Sequence, residues 1–259
     1  MSDERQQQST MEATNREQRP QGSGGAARRS LPVRALVAAG AVAATGMVIF
    51  VAARPLRAAL HASTAAAQAT PGSAINTEGV GAGETEAGNL VADAIRASAG
   101  ADIALVPAAA FKPNASVPRP ATGAQAVGLA QPADDTVVVL LLRGTQILEA
   151  LERSVSLKPQ ASGAFLQVAG LRFVYDTRQA GGKRVVSATV NGAPLEAVKT
   201  YKVAVTRPLS NGQQGYFRIW DGREGQDTKK TIGGALRDFA AARGGQLSAP
   251  TDGRITQRG

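Results

Sequence analysis

Nineteen consecutive residues without a charge, Ala35 to Ala53 (ALVAAGAVAATGMVIFVAA), constrain this chain more than any other feature. At about 1.5 Å per helical residue, such a run nearly spans a hydrocarbon core of about 30 Å. Arg28, Arg29 and Arg34 precede it and Arg54 and Arg57 follow, so the charges that lipid would penalise stand at its two ends. Residues 35–53 are therefore expected to form a transmembrane signal anchor rather than a buried Ala-rich helix. Three Arg before the run, with three more upstream, outnumber the two after it, which places the N-terminus in the cytoplasm and the remainder outside. Residues 1–34, with 6 Arg and 4 acids in a Gln-, Ser- and Gly-rich setting, read as a disordered basic arm. Residues 54–76, rich in small side chains, read as a linker. Ala67-Gln68-Ala69 within it has the form of a cleavage site, so secretion after cleavage stands as the alternative to a single-pass membrane protein. A charged leader of 34 residues and two Arg between the run and that site are unlike an ordinary signal peptide.

The titratable inventory excludes several chemistries. The 259 residues include no Cys and one His, His61, which falls in the linker. Disulfides, thiolate nucleophiles and Cys-ligated metals are ruled out. The His-rich ligand sets of catalytic zinc or two-metal phosphoesterase sites cannot be assembled, and a Ser-His-Asp triad would rest on His61 alone. No metal, no other cofactor and no catalytic residue is expected of this chain. Of the net charge of +9, the arm and the Arg flanking the apolar run supply +4 within 57 residues, while residues 70–259 carry 21 Lys and Arg against 16 acids, scattered and without interleaved aromatics. That pattern fits a solvated surface beside an anionic membrane, not a nucleic-acid platform.

A globular region is expected from about Thr77. Leu90, Val91, Ala94 and Ile95 recur on one face of a helix over 84–99, with Glu84 and Glu86 at the positive end of its dipole. Asp102 to Val106 reads as a short buried strand, and Thr136 to Leu142 (TVVVLLL) carries the strongest strand signal. Thr145 to Ser154 has helical spacing. From Phe165 a strand meander is expected: Leu171 to Tyr175 alternating, then Arg184 to Val190, an Asn191-Gly192 turn, and Tyr201 to Thr206. The core should be Ala-, Val- and Leu-rich, since only 4% of the chain is aromatic.

In order, the blocks Glu84-Thr85-Glu86-Ala87-Gly88-Asn89-Leu90, Ala101-Asp102-Ile103-Ala104-Leu105-Val106, Leu142-Arg143-Gly144-Thr145-Gln146, Gly163-Ala164-Phe165-Leu166-Gln167 and Asn211-Gly212 to Tyr216 resemble the C-terminal domain of the 5'-nucleotidases. The resemblance covers about two thirds of the chain. It implies an α+β fold, an α/β/β/α sandwich over 77–242 with a C-terminal tail at 243–259, and binding of the nucleoside end of a nucleotide. In the family the metal-bearing catalytic domain precedes this one, and here a membrane segment and linker take its place. The binding positions depart from the family as well. Where an Asn-Gly-Gly-Ile-Arg type motif would follow the first strand, the chain has Pro107 to Lys112, and Lys112 keeps a charge without the guanidinium fork. A second family Arg is replaced within Gly81-Ala82-Gly83. Of two rings that would sandwich the base, the first falls at Ala133 and the second at Tyr216.

The substrate-binding residues so implied are Lys112, Tyr216 and Phe217. Gly88, Asn89, Asp93, Gly170 and the Phe165-Leu166-Gln167 run are read as scaffold, Trp220 with Arg218 and Arg223 as the closure of a domain edge, and Asp134, Asp135, Glu149 and Glu152 as solvated acids. Three functions stay open: a membrane-tethered module binding a nucleoside or nucleotide weakly without hydrolysis, the substrate-binding half of a hydrolase completed by a separate metallophosphoesterase chain, and a non-catalytic envelope scaffold.

Overall fold

The computed structural model describes residues 73–220 and 223–259. The expected arm at 1–34 and anchor at 35–53 lie outside the described residues, as does all but the end of the linker. Among the described residues, no helix is long and apolar enough to cross a membrane.

The fold begins with β1 (Ile75–Asn76) and α1 (Glu86–Ala99). Ile75 is fully buried and pairs with Val117, so the linker reading ends too late and the domain starts before Thr77. Helix α1 starts where the Thr85 hydroxyl accepts the Gly88 amide, a cap worth about 1 kcal/mol, and stops at Gly100 in the left-handed region. Strands β2 (Ile103–Pro107), β3 (Ser116–Val117) and β4 (Ala121–Thr122) follow, then α2 (Gly123–Ala126) and β5 (Thr136–Arg143). Next come α3 (Gly144–Val155), β6 (Leu166–Ala169), β7 (Leu171–Asp176), β8 (Val185–Val190), β9 (Ala193–Pro194) and β10 (Thr200–Thr206). The chain closes with α4 (Arg207–Ser210), β11 (Gln226–Thr231), α5 (Ile232–Ala241), β12 (Gln246–Leu247) and β13 (Ile255–Arg258).

Two sheets organise this mixed α/β domain. One has five strands in the order β11-β5-β10-β2-β6, the other four in the order β13-β7-β8-β9. Alternation along the five-stranded sheet sorts side chains by size. Ala104, Ala169 and Ala204 face α1 and α5, whose own Ala87, Ala92, Ala94, Ala235 and Ala240 allow close approach. On the opposite face Ile103, Leu105, Val138, Leu140, Val203 and Val205 meet α3 and the apolar side of the second sheet, including Phe173 and Tyr175.

The first of these strands, β2, runs parallel to β10, which is antiparallel to β5. The expected meander therefore breaks after β9. Asn191 and Gly192 both have positive φ, as a two-residue hairpin turn demands, and join β8 to β9. The following strand then leaves for the centre of the other sheet. Its Val203, Ala204 and Val205 are all fully buried, the mark of a strand covered on both faces.

The expected tail at 243–259 is part of the fold. Leu247 pairs with Ala121, and β13 runs parallel to β7 from Ile255 to Arg258. Long-range ties fix it: the Glu84 carboxylate accepts the Asp252 amide at 2.8 Å and the Asn89 side-chain amide, which also donates to Pro250 O. The scaffold reading of Gly88 and Gln167 is explained by one contact. A Cβ on Gly88 would lie 2.0 Å from Gln167 Oε1, and Gln167 Nε2 donates to Val80 O and Gly83 O at 2.7 Å each.

Candidate functional site

Strands β2 and β10 run side by side and both end at the same cleft, Pro107 closing the first and Thr206 the second. The carboxyl ends of adjacent parallel strands are where open α/β sheets receive ligands, because the connecting loops diverge there. The cleft is lined by Pro107, Ala109 and Ala110 beyond β2, by Gln131, Pro132 and Asp135 before β5, and by Thr206, Pro208, Leu209, Gln213 and Gln214, and its volume is about 90 Å³.

Each wall is fixed. Beyond β2 the amides of Ala108 and Ala109 donate to Phe165 O and Gly163 O, and Ala110 O accepts the Gln131 amide. The 211–216 loop is held more firmly still. Gly212 has φ +82 and Gln214 φ +61, and a Cβ on Gly212 would lie 2.4 Å from Phe217 Cα. Arg153 Nε donates to Gln214 O at 2.9 Å, Tyr216 Oη donates to Ala164 O at 2.7 Å, and Trp220 Nε1 donates to Leu209 O at 2.7 Å.

Two groups give the cleft its chemistry. The Thr206 hydroxyl is buried and has no hydrogen-bond partner, in a side chain only 1% exposed. An unpaired buried hydroxyl costs about 1–3 kcal/mol, which a donor or acceptor would recover only where the cleft floor opens to admit it. Burial pushes the Asp135 carboxyl above its usual range, and Asp134 adds to the rise against the Thr136 amide and Arg207. Arg207 itself is engaged, Nε with Thr136 Oγ1 at 2.9 Å and Nη2 with Asp227 at 2.5 Å. Gln131, Gln213 and Gln214 contribute neutral amides, so no basic side chain lines the cleft among the described residues.

The residues expected from sequence are placed otherwise. Tyr216 is fully buried, its ring stacked on Trp220 at 5.5 Å, and burial drives its hydroxyl pKa sharply upward. The expectation that Tyr216 offers an open stacking face is corrected: its ring belongs to the core and its hydroxyl anchors the loop. Phe217 is 60% exposed beside the Arg218 guanidinium and outside the cleft lining. Lys112 is exposed, beyond the buried Phe111, and also outside the lining. Trp220, expected to close a domain edge with Phe217 packed inward, is itself the buried ring, and Phe217 is the exposed one. Glu152, expected on a solvated face, accepts the amides of Arg184 and Val185 and ties α3 to β8. Sequence reading missed Thr206, Asp135 and Gln214 as cleft residues. The convergence of Gln214 and Thr206 on one cleft has no signature in a linear pattern, whereas Thr206 at the end of a buried strand carried the one available signal.

Residues 62–220 match the family described as 5'-nucleotidase, C-terminal domain. The snake venom 5'-nucleotidase of Naja atra is 38% identical over 96 residues, 34% of this chain and 18% of that protein. A trifunctional nucleotide phosphoesterase protein of Bacillus subtilis is 29% identical over 183 residues, 67% of this chain and 12% of that protein. The crystal structure of a 5'-nucleotidase precursor from Thermus thermophilus superposes with a TM-score of 0.62 at 32% identity, covering 69% of this chain and 36% of that one. The chain thus spans well under half the length of each of these proteins.

Proposed function

The chain belongs to the 5'-nucleotidase C-terminal domain family, and from that premise we propose that it is a membrane-tethered module that holds the nucleoside end of a nucleotide weakly and performs no hydrolysis alone. The observation that carries this reading is the buried, unpartnered Thr206 hydroxyl at the carboxyl ends of β2 and β10, flanked by the Gln213 and Gln214 amides and the Asp135 carboxyl. These groups suit the hydroxyls and ring nitrogens of a nucleoside. Weakness follows from the lining, which contains no aromatic ring. Each missing base-stacking face forgoes about 1–3 kcal/mol. Lys112 and Phe217 would act at most from the rim, and Tyr216 through the loop it anchors.

Inactivity follows from ligand supply. A two-metal centre needs several His and carboxylates converging on ions about 4 Å apart, and the sequence holds one His. A second reading makes this chain the substrate-binding half of a nucleotide hydrolase completed by a separate metallophosphoesterase chain, in keeping with relatives described as 5'-nucleotidase and nucleotide phosphoesterase.

Titration of the full chain with adenosine and AMP by NMR is the test. Binding is expected in the high micromolar to millimolar range, about 4–6 kcal/mol, weakened about tenfold by Thr206→Val as one hydrogen bond is lost. The same preparation should give no turnover of nucleoside monophosphates with added divalent metal. It should also resist carbonate extraction from membranes, whereas a soluble product beginning at Thr70 would establish cleavage. No shift at millimolar adenosine would leave the envelope scaffold as the function.

A further inference from the structure

A second cleft, of about 340 Å³, opens at the turn between β6 and β7, where Gly170 and Arg96 meet Asp102 O before β2. Its walls are Asp93 and Arg96 of α1, the Gly170 turn with Arg172 of β7, the Thr189 to Gly192 hairpin, and Asp252 with Arg254. Its volume falls in the range of about 300–1,000 Å³ that small-molecule sites occupy. Leu171 apart, its lining is polar or glycine, with three Arg against two Asp.

The three guanidinium groups differ in how they are used. Arg254 is buried and saturated: it donates to both Asp93 oxygens, both Asp252 oxygens and Val168 O. It neutralises the two carboxylates and fixes the 252–254 segment. Arg172 uses Nη1 on Asp252 O and Nη2 on Asp252 Oδ2, and Arg96 uses Nε on Asp102 O and Nη2 on Asn191 Oδ1. Among the described residues, their remaining N–H groups have no acceptor. Arg96 keeps its place because residue 170 is glycine at φ +70: a Cβ there would stand 2.5 Å from Arg96 Nε and 2.1 Å from Asp102 O. Asp93 is thus spent on Arg254, Asp252 is shared between Arg254 and Arg172, and the braced guanidinium groups of Arg96 and Arg172 line one cavity with donors left over.

We propose that this cleft binds a small molecule bearing a phosphate or carboxylate group, gripped by the guanidinium forks of Arg96 and Arg172 with the Thr189 hydroxyl beside them. Arginine forks match the paired oxygens of both anions, which a lone ammonium does not. The site is independent of the nucleoside cleft at the carboxyl ends of β2 and β10.

The test titrates the full chain with inorganic phosphate and, separately, with succinate at constant ionic strength, following the Arg side-chain Nε–Hε resonances. Saturable shifts at Arg96 and Arg172, with half-saturation below about 10 mM for at least one anion, are expected. Arg172→Gln and the fork-removing Arg96→Lys should each weaken binding about fivefold or more, whereas Arg243→Gln, on the exposed surface outside the cleft, should leave it unchanged. Preference for phosphate assigns a tetrahedral ligand and preference for succinate a planar one. Non-saturable shifts, or equal weakening by Arg243→Gln, would overturn the proposal and leave only an adventitious ion. Because Arg172 is half exposed, its variant tests the site even where Arg96→Lys disturbs the turn at Gly170.

Discussion

The two clefts, one at the carboxyl ends of β2 and β10 and one at the β6–β7 turn beside the start of β2, solve the problem of buried polarity in opposite ways. At the carboxyl ends, Thr206 is left without a partner and Asp135 is pushed toward its neutral form by burial. At the β6–β7 turn, burial also acts to raise Asp252, yet the hydrogen bonds and charge of Arg254 overcome it and hold the carboxyl below its usual range. Local stability is invested in one cleft and withheld from the other. Unsatisfied groups in a cleft are what a ligand can complete, and a saturated salt-bridge cluster is what a scaffold needs to stay closed.

The largest expected break in this contrast is Arg254→Met. Removing the buried guanidinium strands Asp93 and Val168 O, leaves Asp252 to Arg172 alone and frees the segment leading to β13, at a cost of about 3 kcal/mol in urea denaturation. A loss under about 1 kcal/mol would mean that the network does not hold the C-terminal strand. Next comes Tyr216→Phe, which leaves the ring stack but strands Ala164 O beneath the 211–216 loop. A loss of about 1–2 kcal/mol is expected, together with weaker adenosine binding as Gln213 and Gln214 loosen.

Thr206→Val has the opposite sign. Replacing an unpaired buried hydroxyl with a methyl of similar shape should stabilise the free protein by about 1 kcal/mol while weakening the nucleoside complex. A destabilised variant would show that the hydroxyl is already satisfied in solution. The smallest effects are in pH. Asp252, depressed in the fold, contributes stability that is present above its unfolded value of about 3.9 and lost as pH falls through its lower folded value. Asp252→Asn should flatten that acid loss. Asp135, raised in the fold, favours the folded state only while protonated, a contribution lost as pH rises through the folded value. Asp135→Asn should therefore gain relative to the parent as pH climbs above about 4, and identical profiles for the two variants would erase the distinction between the clefts.

Much of the fold was legible because its signals are local. The Leu90, Val91, Ala94 and Ile95 spacing marks α1, the TVVVLLL run marks β5, and Asn191-Gly192 marks a hairpin whose two positive φ angles few other pairs accept. The ordered blocks from Glu84 to Tyr216 were enough to indicate the family. The cleft was less legible. Tyr216 and Phe217 are adjacent, yet the first is buried against Trp220 and the second lies open, and the left-handed turns at Gly212, Gln214 and Gly215 decide which ring turns inward.

The sequence by itself determined the periodic elements, the apolar run at 35–53, the shortage of metal ligands and the kinship, since each depends on residue type and short spacing. Tertiary structure alone decided the rest. Strand β10 left the expected meander for the centre of the other sheet, the supposed tail became β12 and β13, and Thr206 and Gln214 came to line one cleft while Arg254 met Asp93 across 161 residues of chain. Those outcomes rest on which long-range pairings bury the most apolar surface while satisfying backbone and charge together, a competition among distant segments that no local pattern encodes.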